Sequence, residues 1–378
     1  MSEFNLYIHI PFCERVCIYC DFYVTTARKY MDGFTQAMTK EITLYAQRYP
    51  DAKLRTVYFG GGTPSYLPAE NLTTIMNQLR SSFNIVQNAE ITLEANPNNL
   101  SYEKLKSLRD IGINRLSIGV QSFKEEDLKF LTRNHNLKQA RESITYARAA
   151  GFDNISIDLI FGLPEQTLST WEQNITEALA FSPEHISVYN LTVEERTHLS
   201  KMVQQKKVDL QDEQIELEMF LKTIQLLMQA GYEHYEISNY GKSGFHSRHN
   251  SSYWQGSSYL GLGPSAHSFH DQRRWWNVRD IKKYIEILET GNTLPVDVME
   301  ALNVQQQCTE YIFLNLRKKE GLDIGEIEKI GGLIFFDTFK NPLEKCKEFI
   351  IGENGRVRLS DKGFFLYNKI CEEFVSAL

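Results

Sequence analysis

Cys13, Cys17 and Cys20 are spaced C-x3-C-x2-C, a spacing that brings three thiolates to one side of a short loop. A structural zinc ion takes four protein ligands, and a [4Fe–4S] cluster ordinarily takes four cysteines. Three cysteines on such a cluster leave one iron without a protein ligand, free to bind and activate a small molecule. The spacing therefore points to chemistry rather than scaffolding. Two blander readings compete. A zinc site completed by His9 is awkward, because His9 lies in a strand pattern just ahead of Cys13. A disulfide framework needs more cysteine than this chain has. The other three, Cys308, Cys346 and Cys371, stand in apolar or amphipathic contexts and read as buried thiols.

The elements that must position this loop are legible in the periodicity. Leu6–Ile10 alternates as a strand does, and Pro11 ends it. Phe12, Tyr19, Phe22 and Tyr23 wrap the loop in aromatic surface, which limits solvent access and tunes a cluster's potential. Further strands are expected at Thr56–Phe59, Glu90–Glu94, Arg115–Val120, Asn154–Ile160 and Ile186–Tyr189. Helices are expected at Tyr30–Arg48, Pro68–Phe83, Tyr102–Ile111, Leu137–Ala149 and Leu168–Ala180, with Ser101 as an N-cap and Gly112 and Gly151 as stops. Six β-α units in sequence imply a parallel sheet with helices outside. Closed or nearly closed, this α/β fold is a partial (β/α)6 barrel of the triosephosphate isomerase type. In such barrels chemistry gathers at the carboxy-terminal strand ends. Here those ends carry the cysteine loop, Gly60-Gly61-Gly62-Thr63-Pro64, Glu94-Ala95-Asn96-Pro97, Gln121-Ser122, and Asp158 ahead of Gly162.

Beyond the barrel, a helix is expected at Asp212–Ala230. A Gly/Ser/His/aromatic region follows, from Gly231 to about Trp276. The end of the chain reads as helix (Ala301–Arg317), short helix (Ile324–Ile330), helix (Pro342–Ile350), a hairpin turning at Glu353-Asn354-Gly355, and a helix from Asp361. It resembles a small winged-helix-like helical domain. The expected division is therefore 1–230, 231–295 and 296–378.

The chain has 378 residues, 42% hydrophobic, with a formal net charge of −7. No apolar run is long enough to span a membrane, and the amino terminus lacks the layout of a secretion signal. Cytoplasm is the expected compartment. The acidic balance argues against a large nucleic-acid footprint. The last 83 residues carry 11 Lys/Arg against 14 Asp/Glu, so that part reads as a lid or partner-docking domain rather than a DNA binder.

The cysteine motif, Gly-Gly-Gly-Thr-Pro and Glu-Ala-Asn-Pro together resemble the radical S-adenosylmethionine (SAM) superfamily. The resemblance is strongest to the branch of oxygen-independent coproporphyrinogen III dehydrogenase and the HemW-type haem chaperones, and it covers nearly the whole chain. It implies a [4Fe–4S] cluster on Cys13, Cys17 and Cys20, and SAM on the fourth iron. It implies SAM contacts at Gly61, Gly62, Thr63, Glu94, Gln121, Arg133 and Asp158, with Tyr7 close by. Glycine suits a close backbone approach, and the fork of Arg133 suits a carboxylate. The local alternatives are a strand-ending turn for the glycines, a surface carboxylate for Glu94, a surface salt bridge for Arg133 and core packing for Tyr7.

Two departures separate the members of the branch. The dehydrogenases carry a further cysteine where this chain has Phe22, and a long segment before the cluster where only 12 residues precede Cys13. Both favour the chaperones. His249-Asn250-Ser251-Ser252-Tyr253 gives the H-N-x-x-Y pattern associated with haem in those proteins, with His249 as iron ligand and Tyr253 and Trp254 over a porphyrin face. The local alternative is a hydrogen-bonded loop histidine; His246, His267 and His270 are alternative ligands. Gly261-Leu262-Gly263-Pro264-Ser265-Ala266-His267 also resembles the family.

The expected function is haem binding and transfer to an acceptor protein, membrane-bound or soluble, with an electron donor for the cluster and no nucleic acid. SAM cleavage stays open, as does the choice between a monomer and a cluster-dependent dimer. The alternatives are radical decarboxylation of coproporphyrinogen III propionates and a radical enzyme acting on RNA or another substrate.

Overall fold

The computed structural model describes residues 3–378. Strands β1 (Glu3–Ile10), β2 (Lys53–Gly61), β3 (Asn84–Ala95), β4 (Arg115–Gln121), β5 (Ile155–Phe161) and β6 (His185–Asn190) pair in parallel in that order. Helices α1 (Met31–Arg48), α2 (Ala69–Ser82), α3 (Tyr102–Asp110), α4 (Glu125–Phe130), α5 (Leu137–Ala149) and α6 (Leu168–Ala180) make the crossovers. All six expected strands and all five expected helices are present, with ends shifted by a few residues. α4 is the one crossover helix that the periodicity did not give. Ser101 caps α3 through the Lys104 N–H, and Asn136 and Thr167 cap α5 and α6.

Alternation within the strands sorts the side chains. Leu6, Ile8 and Ile10 of β1 are fully buried and share the main apolar core with Phe34, Met38 and Ile42 of α1. Asn5, Tyr7 and His9 lie on the opposite face, the barrel interior. There Asn5 meets Thr56, and Tyr7 lies beside Tyr58.

The barrel is open. β6 does not pair with β1. Beyond α7 (His198–Gln204) and α8 (Glu213–Gln229), β7 (Glu233–Glu236) and β8 (Asn239–Gly241) extend the β6 edge antiparallel. After α9 (Arg248–Trp254), β9 (Tyr259–Leu262) joins the β1 edge in parallel. β10 (His267–His270) and β11 (Arg273–Asn277), then α10 (Ile281–Thr290) and β12 (Val296–Ala301), complete a 12-stranded sheet. The Gly231–Trp276 region, which shows no regular period in sequence, thus holds α9 and five short strands. The strands satisfy the N–H and C=O groups that an unclosed barrel leaves at its edges.

The rest of the chain comprises α11 (Val304–Leu316), β13 (Leu322–Asp323), α12 (Ile324–Gly331), α13 (Phe335–Thr338), α14 (Lys340–Lys345), β14 (Ile350–Glu353), β15 (Arg356–Leu359), α15 (Asp361–Phe365) and α16 (Tyr367–Val375). The hairpin turns at Asn354 and Gly355, both with positive φ, as expected. The expected helix at Pro342–Ile350 is shorter, because Ile350 starts β14. The last helix is split at Leu366. One apolar core runs from the barrel into these helices, taking in Ile312, Phe335 and Phe374.

Candidate functional site

The cysteine loop is held at the carboxy-terminal end of β1. Thr25 clamps it by an N–H to the Pro11 carbonyl and a carbonyl to the Cys13 N–H, at 2.7 and 3.0 Å. Ile18, between the second and third cysteines, drops into a small apolar cluster with Leu131, Leu163 and Leu199. All three cysteines are free thiols; burial pushes Cys13 up to about 11, with the nearby Cys20 and Cys17 sulfurs adding to the rise. His9 does not complete a zinc site. Its Nε2 donates to the Tyr23 carbonyl at 2.8 Å, so its Nδ1 shares a hydrogen bond with the Tyr7 hydroxyl at 3.1 Å. Among the described residues no three His, Cys, Asp or Glu side chains converge on one metal-ion position.

The glycine segment is explained by the cysteine loop itself. Gly61 has φ +105°, and a Cβ there would strike the His9 ring at 2.5 Å. A Cβ on Gly62 would meet backbone atoms of Ile10, Pro11 and Phe12 at 2.9 Å. The Gly62 and Thr63 N–H groups donate to the Ile10 and Phe12 carbonyls. Glycine is therefore required here by the approach of β2 to the end of β1.

Next to the loop lies a polar cavity of about 110 Å³ lined by Gly62, Thr63, Glu94, Gln121, Arg133 and Asp158, among others. The structure thus brings six of the eight expected SAM-contact residues together. Gly61 adjoins them through its N–H to Glu94, while Tyr7 lines a neighbouring cavity. Glu94 accepts from the Tyr58 hydroxyl at 2.8 Å and the Gly61 N–H at 3.2 Å, and burial raises its pKa to about 7. Asp158 sits mid-strand in β5, where the Ser117 hydroxyl donates to it at 3.0 Å. Gln121 is left-handed, φ +66°, a strained position for a non-glycine residue. Arg133 is not on a helix surface. It donates to the Gly119 carbonyl at 2.8 Å, to Asn96, and toward Cys17 Sγ and the Tyr19 hydroxyl at 3.5 Å. Its buried Nε has no partner, so one strong donor is still available. Asn96 and Ser117 have no assigned role in the sequence reading, and Tyr19, expected there only as aromatic wrap, also presents its hydroxyl to Arg133. Asn96 stands inside the Glu-Ala-Asn-Pro segment and was the one legible candidate.

His249 lies on α9, a helix rather than a loop, and is 1% exposed. The helix is docked under the barrel by Glu90, which accepts from the Arg248 and His249 N–H groups. The ring stacks on Tyr58 at 4.8 Å. The Thr56 hydroxyl donates its proton to Asn5 Oδ1, so His249 Nδ1–H must donate to Thr56, at 2.7 Å. His249 Nε2 then accepts from the Tyr253 hydroxyl at 2.9 Å. Both nitrogens are occupied, and burial pushes the ring's pKa down to about 3. Tyr253 and Tyr259 separate two cavities. One, about 380 Å³, includes Tyr7, His9, Phe22, Tyr23, His267 and Arg279; the other, about 310 Å³, includes Trp254, Phe269, Arg274 and Tyr311.

Residues 7–178 match the Radical SAM superfamily. The whole chain is similar to the heme chaperone HemW of Bacillus subtilis, 36% identical over 99% of this chain and 100% of that protein. It is also similar to the heme chaperone HemW of Lactococcus lactis, 33% identical over 98% and 97%. Among solved structures it resembles the coproporphyrinogen III oxidase HemN of Escherichia coli, a radical SAM enzyme, with a TM-score of 0.84, 26% identity and coverage of 100% of this chain and 91% of that one.

Proposed function

The chain belongs to the HemW family of the radical SAM superfamily, and from that membership we propose that it is a haem chaperone, taking haem as cargo and passing it to an acceptor protein. The observation that carries the reading is the placement of the H-N-x-x-Y helix. It hangs from barrel strands β2 and β3 through Thr56 and Glu90, and its Tyr253 faces two aromatic cavities. Phe22, 67% exposed at one cavity, supports the same choice, since the dehydrogenases carry a cysteine there.

The residues fit a [4Fe–4S] cluster and SAM. Cys13, Cys17 and Cys20 would hold the cluster, leaving one iron for SAM; together they supply one-electron chemistry when bound. Thr63 and Arg133 are in reach of the thiols and would stabilise them as thiolates. Arg133 Nε would meet a carboxylate. Glu94 would accept from a cationic or hydroxyl part of SAM, with Asp158, Gln121 and the Gly61–Thr63 backbone completing the cradle. His249 would serve as iron ligand only after Tyr253 releases its Nε2 lone pair.

The reading also assigns 1–230 to the barrel, 231–295 to the haem-motif region and 296–378 to a docking domain. It places the protein in the cytoplasm with an electron donor, as a monomer or cluster-dependent dimer. Among the described residues no helix is long and apolar enough to cross a membrane.

Radical decarboxylation of coproporphyrinogen III is the second reading, favoured by the likeness to HemN over the full chain. Anaerobic reconstitution, incubation with coproporphyrinogen III, SAM and reductant, and a parallel haem titration separate the two. Stoichiometric haem binding without decarboxylated product supports the chaperone; turnover to protoporphyrinogen replaces it.

A further inference from the structure

His267 differs from the other imidazoles near the haem motif. His9 and His249 have both nitrogens hydrogen-bonded. His270 is held by Ser258 and Asp271, and His246, beside Glu233, stacks on Tyr235 at 4.1 Å and does not line the cavity described below. The His267 ring is exposed, stacks face to face on Trp276 at 5.3 Å, and opens into the cavity of about 380 Å³. No hydrogen-bond partner occupies either of its nitrogens among the described residues.

The same cavity holds a cation that no carboxylate pairs, although Asp21 also lines the wall. The Arg279 guanidinium donates to the Asp21 carbonyl at 3.2 Å and makes no ion pair among the described residues. Arg274, the other cation near this edge, is already paired with Glu310 at 2.6 Å. Tyr7, Tyr23, Tyr253, Tyr259 and Phe22 supply aromatic wall. An open imidazole, an unpaired guanidinium and aromatic faces are the features that recognise a flat metallotetrapyrrole with acidic side chains.

We propose that this cavity is the haem site, with His267 as the axial ligand of the iron and Arg279 as the partner of a propionate. The inference rests on the haem-chaperone reading. His249 is then a positioning residue, acting through the hydroxyl of Tyr253, whose ring forms the cavity's wall. Burial and the two nearby arginines lower the His267 pKa, so the ring is neutral and ready to donate a lone pair.

The test is haem titration of the cluster-reconstituted full chain, read by optical and electron paramagnetic resonance spectra, for His267→Ala, His267→Cys and His249→Ala. Far-UV circular dichroism and cluster absorbance check folding; His267 is at the surface, so both should hold. His267→Ala is expected to weaken haem binding about tenfold or more and to shift the Soret band. His267→Cys is expected to restore binding with the spectrum of a thiolate-ligated ferric haem. Loss of binding in His249→Ala, with His267→Ala spectrally unchanged, would return the iron to His249 and overturn the proposal while leaving the chaperone reading intact. A parent protein that binds no haem would remove that reading itself, and the proposal with it.

Discussion

The Cys13 thiol lies 3.4 Å from the Thr63 hydroxyl, which ties the first cysteine of the loop to the segment that follows β2. The cysteine loop and the glycine segment are therefore one unit, built where the ends of two adjacent parallel strands meet. The contact separates two kinds of loss. Cys13→Ala, Cys17→Ala and Cys20→Ala should each abolish iron–sulfur absorbance after anaerobic reconstitution, because each removes a ligand outright. Thr63→Val removes one hydrogen bond to sulfur and should retain a cluster with a shifted reduction potential. Full cluster content in any of the three alanine variants would be incompatible with the assignment.

Gly62→Ala should destabilise the protein by about 1–3 kcal/mol. The new Cβ would meet three backbone atoms at 2.9 Å, none of which can swing aside as a side chain would. Thermal unfolding of the cluster-free chain reads the cost. An unchanged Tm would mean that the end of β1 yields, and that the requirement for glycine lies with a ligand instead.

Glu94 gives a pH dependence whose sign differs between binding and folding. Burial lifts its pKa from 4.5 to about 7, so the carboxylate needed to accept from SAM is complete only above that pH. SAM affinity of the cluster-loaded protein, measured by equilibrium dialysis, should rise through pH 6–8, and Glu94→Gln should flatten the rise. Folding runs the other way. The folded state holds the proton more tightly than the unfolded chain, so this group's contribution to stability is full below about 4.5 and is lost as pH rises through about 7. A pH-independent affinity in the parent would take Glu94 out of the SAM site.

The barrel was readable because its strands are β-branched runs ending in glycine or polar residues, and its helices carry their own caps. Asn136 and Thr167 fix the starts of α5 and α6 within a residue. The strand-end rule then collected Glu94 and Gln121 around one cavity, which Asp158 reaches from the middle of β5 rather than from its end. The region between β7 and β11 was opaque for the opposite reason. Its strands are three to five residues long, too short for a period to register, and they exist because β1 and β6 need edge partners. The setting of His249 was equally hidden, since Thr56 and Glu90 reach it from almost 160 residues away or more. Arg133 is placed at the cavity by the family resemblance alone, with a surface salt bridge as its local alternative, because nothing local shows that its turn folds back over β4.

Glu41 carries the last prediction. It is fully buried in α1, yet it accepts from the Tyr284 hydroxyl at 2.6 Å, Asn277 Nδ2 at 2.6 Å and the Gly263 N–H at 2.8 Å. Gly263 has φ +97°, and a Cβ there would lie 2.4 Å from the His9 carbonyl oxygen. Gly263 thus answers to packing against β1, Gly261 to the backbone of His267 in β10, and Glu41 is the pin that holds the segment down. Glu41→Ala would leave three donors facing an apolar hole, at a cost of roughly 1–3 kcal/mol for each that stays unpaired. The variant should lose several degrees of Tm. It should also loosen the floor beneath His267, seen as faster hydrogen exchange at residues 261–267 while β3 and β4 keep their protection. Faster exchange spread evenly over the whole sheet would mean that Glu41 supports the fold at large rather than this segment.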